Sequence, residues 1–151
     1  SPVCARAPRP VHLCTDESIL GCKFYLMERR EGVIVRRRPP EGVEFTPALA
    51  RGLAAAAVDA LVDLHAIDID ASGLVQLGHP DGYVRRQVEG WSKRYAAAQT
   101  DDIPAMTRVG AWLFEHMPTS GPPTLLHNDY KYDNLVLDPA DLTRVTAILD
   151  W

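Results

Sequence analysis

The sequence predicts an α+β fold, and three observations carry that expectation. Short strand-like stretches stand near the start of the chain, long stretches of helical periodicity fill its middle, and apolar stretches flanking a polar loop close it. Hydrophobic content of 46% and charged content of 24% are ordinary for a globular domain. At 151 residues a sizeable core can be buried, and one compact domain is the default from size alone.

Residues 1–10 carry Pro2, Pro8 and Pro10 beside Arg6 and Arg9, and read as an irregular or extended lead-in. Val11-His12-Leu13-Cys14 is a short strand ended by the polar turn Thr15-Asp16-Glu17-Ser18. Gly21 to Met27 reads as a second strand, with Cys22, Phe24 and Leu26 alternating with Lys23 and Tyr25. Val33-Ile34-Val35 makes a further small strand. Arg36-Arg37-Arg38 before Pro39-Pro40 could meet an acidic ligand, but three such charges more often mark a solvated loop.

The clearest helix follows. Thr46 is a good N-cap and Pro47 suits the first helical position. Leu49, Leu53, Ala56, Ala57, Ala60, Leu61, Leu64 and Ile67 recur at three- and four-residue steps and make an apolar face. Gly52 weakens this helix by roughly 1 kcal/mol against Ala. His65 near its end reads as structural. A loop from Asp70 through Gly82 leads to a helix from about Tyr83 to Ala98, striped by Tyr83, Val84, Val88, Trp91 and Tyr95. Arg85, Arg86, Lys93 and Arg94 lie on or beside its polar side. Asp101-Asp102 are expected to cap a third helix from about Ile103 to His116, with Met106, Val109, Trp112, Leu113 and Phe114 packed inward.

Pro118 to Pro123 link to the end of the chain. Leu125, Leu126 and His127 read as a short apolar strand, and a tight polar loop follows. Residues 134–138 turn apolar again, Asp138-Pro139 begins a turn, and Val145 to Leu149 form a strand ending at Asp150. The outcome is a hairpin with polar groups gathered at one end.

That loop carries the chemistry. In His127-Asn128-Asp129-Tyr130-Lys131-Tyr132-Asp133-Asn134 an Asp follows a His by two residues, and an Asn follows that Asp by five. This is the H-x-D-x-x-x-x-N spacing of a phosphoryl-transfer loop. Such a reaction needs a carboxylate to orient a hydroxyl and accept its proton, and oxygen ligands for Mg²⁺. Asp129 reads as the base, and Asn134 and Asp150 as the metal oxygens. Lys131 would place positive charge on the transferring phosphoryl group. His127 reads as a brace acting through hydrogen bonds. Taken alone, the same residues could merely cap turns. The strand context, Lys131 and the Asp on the next strand favour the phosphoryl-transfer reading.

The loop resembles the catalytic loop of the aminoglycoside phosphotransferase and choline kinase-like family, which shares the protein-kinase fold, and Asp150-Trp151 stands where that family has its second metal-binding Asp. Within the family the chain is most similar to kinase-like domains related to those found with acyl-CoA dehydrogenases. Phe24-Tyr25-Leu26-Met27-Glu28, Leu64-His65-Ala66-Ile67-Asp68, Gly82-Tyr83-Val84-Arg85-Arg86-Gln87-Val88 and the loop itself carry that closer match.

The resemblance implies a partial kinase-like architecture: N-lobe strands and hinge over residues 1–30 and a C-lobe over residues 31–151. The helical part would span about 46–117 and the catalytic hairpin about 124–151. It implies ATP and Mg²⁺ as cofactors and a hydroxyl-bearing small molecule as acceptor. Residues 27–32 would form the hinge, with Met27 behind the adenine, the Glu28 carbonyl and the Arg30 N–H facing its edge. By the same comparison the chain is expected to be roughly the middle half of such an enzyme, incomplete at both ends; a first residue of Ser suits a processed or excised segment.

Several classes are disfavoured. A formal net charge of −4 argues against a dedicated nucleic-acid binder. Cys4, Cys14 and Cys22 are odd in number and lack C-x-x-C spacing, fitting reduced cytoplasmic thiols better than disulfides or zinc. No apolar run has membrane-spanning length and no signal-peptide core stands at the start. Nothing fixes an oligomeric state. Three hypotheses follow: an ATP-dependent small-molecule kinase or its central part, a binding or scaffolding remnant without turnover, and a metal-dependent phosphate-ester hydrolase. The remnant draws on the lack of a visible glycine-rich phosphate loop. Lys23, Lys93 and Lys131 are the only lysines, and Lys23 lies on the wrong strand for the family's phosphate-pairing Lys. The hydrolase is disfavoured by the single His of the cluster. Aminoglycoside, choline, homoserine, sugar and hydroxyacyl acceptors stay open, with a lean to the last.

Overall fold

Helix α1 spans Pro47–His65 and starts where its capping chemistry places it. Thr46 is extended (φ −75°, ψ 158°), and its hydroxyl accepts a hydrogen bond from the Leu49 N–H at 3.2 Å, satisfying one of the donors a helix start leaves unpaired. The computed structural model describes residues 3–37 and 40–151. The expectations placed on Pro2, Arg38 and Pro39 lie outside the described residues. Residues up to Ile67 gather with Leu125–Trp151 into one compact unit, and Asp68–Thr124 form a second.

In the first unit, β1 (Pro10–Cys14) pairs antiparallel with β2 (Phe24–Met27), and β3 (Leu135–Leu137) pairs antiparallel with β4 (Val145–Ile148). The core lies between α1 and the β3–β4 hairpin. Leu53 and Ala60 of α1 meet Leu135, Leu137, Val145 and Ile148, with Val33, Val35, Leu49, Ala56, Ala57, Tyr130 and Leu142 packed around them. Each leucine fully buried here contributes on the order of 1.5–3 kcal/mol. The hairpin turn is built by carboxylates, as its Asp-Pro start predicted. Asp138 accepts from the Ala140 N–H at 2.7 Å and pairs with Arg144, while Asp141 accepts from the Thr143 N–H at 2.9 Å.

Two glycines permit close approach in this unit. A Cβ on Gly52 would lie 2.7 Å from Thr143 Cγ2, so the glycine that weakens α1 in isolation lets the hairpin turn come against it. Gly32, at φ +150°, would carry a Cβ 2.4 Å from the Leu137 carbonyl oxygen. It lets the strand-to-helix crossing touch β3, where Val33 and Leu137 exchange backbone bonds of 2.9 and 2.8 Å.

In the second unit, a 3₁₀ turn at Leu74–Leu77 precedes α2 (Tyr83–Ala98) and α3 (Pro104–Glu115). Neither helix contains a buried residue. An apolar groove of about 550 Å³ runs between them, lined among others by Val88, Trp91, Met106 and Phe114. No helix among the described residues is long and apolar enough to cross a membrane, and the three cysteines are free.

Several expectations are corrected. The second strand begins at Phe24 rather than Gly21, because Gly21 at φ +77° ends a turn closed by its N–H on the Glu17 carbonyl at 2.8 Å. Val33–Val35 is a single bridge to Leu137, not a strand. Leu125–His127 is not a strand either, and the hairpin is β3–β4 alone. Asp101-Asp102 do not cap α3: Pro104 takes the opening turn, Ile103 becomes the N-cap without a side-chain bond, and the two Asp fall outside. Met106, Val109, Trp112, Leu113 and Phe114 stay between 39% and 56% exposed, so the inward packing expected of them is absent among the described residues.

Candidate active site

The polar loop leaves the core by way of His127, which is 8% exposed. Its Nε2 lies 2.8 Å from the Leu149 carbonyl oxygen, so this nitrogen carries the proton and donates. The brace expected of His127 is therefore present, and it grips the residue just before Asp150. Asn128 follows at φ +65°, a left-handed conformation that Asn tolerates better than most residues. This turn of the backbone sends Asp129 and Lys131 outward. Both are about half exposed, and Lys131 Nζ sits 2.5 Å from Asp129 Oδ2.

A short 3₁₀ turn, Tyr132–Asn134, brings the chain back inward. Asn134 is 8% exposed, and its amide donates to the Asp129 backbone oxygen at 3.0 Å and to Asp129 Oδ2 at 3.3 Å. With Nδ2 committed to these bonds, Oδ1 is the side-chain oxygen left to act as a ligand. The Leu149 N–H donates to the Asn134 carbonyl at 2.8 Å. The Leu149 peptide is thus held on one side by Asn134 and on the other by His127, and Asp150 projects from its end at φ +64°. Asn128 and Asp150 are the non-glycine residues with positive φ among those described. Such strain gathers where a fold over-determines a conformation for use.

Electrostatics joins the same groups. The hydrogen bond from Lys131 holds the Asp129 carboxyl below its ordinary value against the opposing effect of desolvation, with further help from the Lys131 charge and the Asn134 amide. Lys131 is raised in turn, first by the bond to Asp129 and also by the charges of Asp133 and Asp150. The structure therefore brings Asp129, Lys131 and Asn134 into contact and sets Asp150 within electrostatic reach of Lys131.

Oxygen donors suit Mg²⁺, and the pair offered here is the Asn134 amide oxygen and the Asp150 carboxylate. Among the described residues no group of three or more His, Cys, Asp or Glu side chains gathers around one point. Asn134 and Asp150 are linked through Leu149, whose N–H donates to the Asn134 carbonyl at 2.8 Å, and two such oxygens could serve a cation that keeps waters and takes its remaining ligands from phosphate.

Met27, Glu28 and Arg30, expected to form a hinge, belong to the same unit and make contacts of their own. Met27 ends β2 opposite Pro10 and is 45% exposed. The Glu28 N–H donates to the Arg9 carbonyl at 2.9 Å, and its carboxylate accepts from the Arg9 N–H at 3.1 Å. Arg30 donates to the carbonyls of Ala5 and Ala7 at 3.1 and 3.5 Å and pairs with Glu28 at 3.5 Å. The Glu28 and Arg30 side chains therefore tie residues 28–30 to the segment 5–9 that leads into β1.

Two residues escaped the sequence reading. Tyr130 donates its hydroxyl to the Ala57 carbonyl of α1 at 2.6 Å. Arg6 bonds Asp63 of α1 at 2.7 Å and the Val145 carbonyl at 3.2 Å, while its own carbonyl takes the Ile148 N–H at 2.9 Å. Adjacency to Asp129 was a usable signal for Tyr130. For Arg6, 139 residues from Val145, local pattern offers none.

Comparison with known proteins bears on the family and the fold. The chain is 38% identical over 145 residues to human (Homo sapiens) acyl-CoA dehydrogenase family member 11, covering 95% of this chain and 18% of that protein. It is 39% identical over 144 residues to mouse (Mus musculus) acyl-CoA dehydrogenase family member 10, covering 95% of this chain and 13% of that one. The chain thus spans under a fifth of the curated relatives it matches. A crystal structure from Ralstonia eutropha, of a protein provisionally named an aminoglycoside phosphotransferase, superposes with a TM-score of 0.85 at 33% identity. That match covers 99% of this chain and 45% of the other, and the fold is the partial kinase-like α+β arrangement expected. The profile of the phosphotransferase enzyme family (APH) matches residues 2–151, and the chain belongs to that family.

Proposed function

We propose that this chain carries the catalytic loop of an ATP- and Mg²⁺-dependent phosphotransferase acting on a hydroxyl of a small molecule. The observation that carries the reading is the Leu149 peptide, gripped by both His127 and Asn134, which ties Asp150 to the loop holding Asp129 and Lys131. When bound, Mg²⁺ would neutralise charge on the nucleotide phosphates, and Asn134 and Asp150 would hold it. Asp129 orients the acceptor hydroxyl and takes its proton at a carboxylate oxygen. Lys131 releases Asp129 as the acceptor arrives and turns its ammonium to the transferring group. Met27, Glu28 and Arg30 frame the adenine through the hinge backbone. Asn134 stays fixed on the Asp129 carbonyl, so the base keeps its place while its charge changes.

The relatives' names point to acyl substrates and the structural neighbour's name to aminoglycosides. A hydroxyacyl thioester is therefore the first acceptor to try, followed by an aminoglycoside, choline, homoserine and a sugar. Such a reaction, in a reducing cytoplasmic compartment, suits the three free thiols. Mg²⁺-dependent ATP binding that is lost in Asp150→Asn, with transfer to at least one of these acceptors, is the expected result. Phosphate release without any acceptor would favour a hydrolase instead.

One observation favours a second reading, a kinase-like binding domain without turnover. Lys131 already occupies Asp129 at 2.5 Å and could hold the base out of use. Nucleotide binding without transfer to any acceptor would support it, and transfer that appears in Lys131→Met would show that this pair withholds the base.

A further inference from the structure

Residues of the loop alternate between anchors and reactive groups. His127 and Asn134 are buried and Tyr130 is half buried, whereas Asp129 and Lys131 face outward. Two of the anchors reach other parts of the polar hairpin: His127 holds Leu149, and Asn134 holds Asp129 itself. Tyr130 differs. It is the anchor that joins the loop to helix α1, through a 2.6 Å hydrogen bond from its hydroxyl to the Ala57 carbonyl. Its ring packs against the α1–hairpin core and meets His127 edge-on, with centroids 6.0 Å apart. Ala57 sits in the middle of α1, away from both ends of the helix.

We propose that Tyr130 is a positioning residue for Asp129, its phenol fixing the peptide that follows the base to helix α1. The inference rests on the phosphotransferase reading and adds a residue to it. Tyr130 touches neither the acceptor nor the nucleotide in this scheme. Its hydroxyl sets the distance between α1 and the loop, and the carboxylate one residue earlier inherits that distance. Without the hydroxyl, the ring still fills its place, but the loop can slide along the helix by a fraction of an ångström. Reactions that depend on an aligned hydroxyl are steeply sensitive to such displacement, with an error of about 1 Å costing on the order of a hundredfold. Nucleotide binding uses Asn134, Asp150 and the hinge, so it is spared.

The test is Tyr130→Phe in the full-length protein, beside Asp129→Asn, using Mg-ATP and whichever acceptor of the panel above the wild type phosphorylates fastest. The expected result for Tyr130→Phe is a kcat lowered about tenfold with the Kd for Mg-ATP within about twofold, since one hydrogen bond is lost and the ring is kept. Amide hydrogen exchange at residues 128–131 rises in step, while that of α1 does not. An unchanged kcat, or a Kd and kcat that worsen together, overturns the positioning role. Should Asp129→Asn turn over as fast as wild type, or the wild type phosphorylate nothing, the phosphotransferase reading itself falls and takes this inference with it.

Discussion

The two compact units treat similar sequence patterns differently. Helix α1 carries apolar residues at three- and four-residue steps and buries Leu53, Ala60 and Leu64 to 3% exposure or less. Helices α2 and α3 carry equally regular stripes and bury nothing fully; Trp91 remains 63% exposed and Trp112 56%. Periodicity therefore settles where a helix forms and which side is apolar. It does not settle whether anything covers that side, because the cover comes from residues elsewhere.

The largest expected effect tests that contrast directly. In the 151-residue chain, Leu53→Ala should cost about 2–5 kcal/mol of stability, as removal of a packed core side chain does. Val109→Ala on α3, already 51% exposed, should stay within about 0.5 kcal/mol. Urea unfolding of both variants measures the gap, and equal losses would mean the second unit has a core of its own.

Next comes the loop that the first unit supports. Asp129→Asn should lower phosphoryl transfer by at least roughly a hundredfold, the usual worth of a positioned base. Steady-state rates with a reactive acceptor decide it. A fold left intact by circular dichroism would place that loss in chemistry rather than packing.

Gly52→Ala is a smaller and sharper probe, because two effects oppose. Helix propensity gains about 1 kcal/mol, while a Cβ at 2.7 Å from Thr143 overpacks a tight contact at about 1–3 kcal/mol. We expect net destabilisation, restored when Thr143 is shortened to Ser. A stabilised Gly52→Ala would show that the hairpin turn gives way freely. Thr46→Ala should cost about 1 kcal/mol through loss of the Leu49 cap, seen as a lower midpoint in thermal unfolding.

The smallest effect is in pH dependence. Asp129 must be ionised to accept a proton, and Lys131 holds its carboxyl below the ordinary range. The acid limb of kcat/KM should therefore lie below the ordinary carboxylate value, and Lys131→Met should move it upward. A limb that does not move in Lys131→Met would separate the pair seen at 2.5 Å from the working state of the base.

Much of this was legible from local pattern. Thr46-Pro47 marked the start of α1, and Tyr83 and Ala98 bounded α2 as predicted, since capping and periodicity act within one or two turns of chain. The H-x-D-x-x-x-x-N spacing named Asp129 and Asn134, which prove to be hydrogen-bonded. The misses have separate causes, one local and one from the fold. Asp101-Asp102 looked like caps until Pro104 fixed the helix start beyond them, and Val33–Val35 looked like a strand but found a partner at Val33 only.

The sequence by itself determined the helices, the turn chemistry and the H-x-D-x-x-x-x-N spacing of the polar loop, because each depends on neighbours a few residues away. Only tertiary structure decided that Gly52 admits the hairpin turn, that Arg6 and Tyr130 anchor to α1, and that the stripe of α3 stays exposed. Those outcomes depend on which surfaces meet after the chain has folded back over more than fifty residues, and no local periodicity records that meeting.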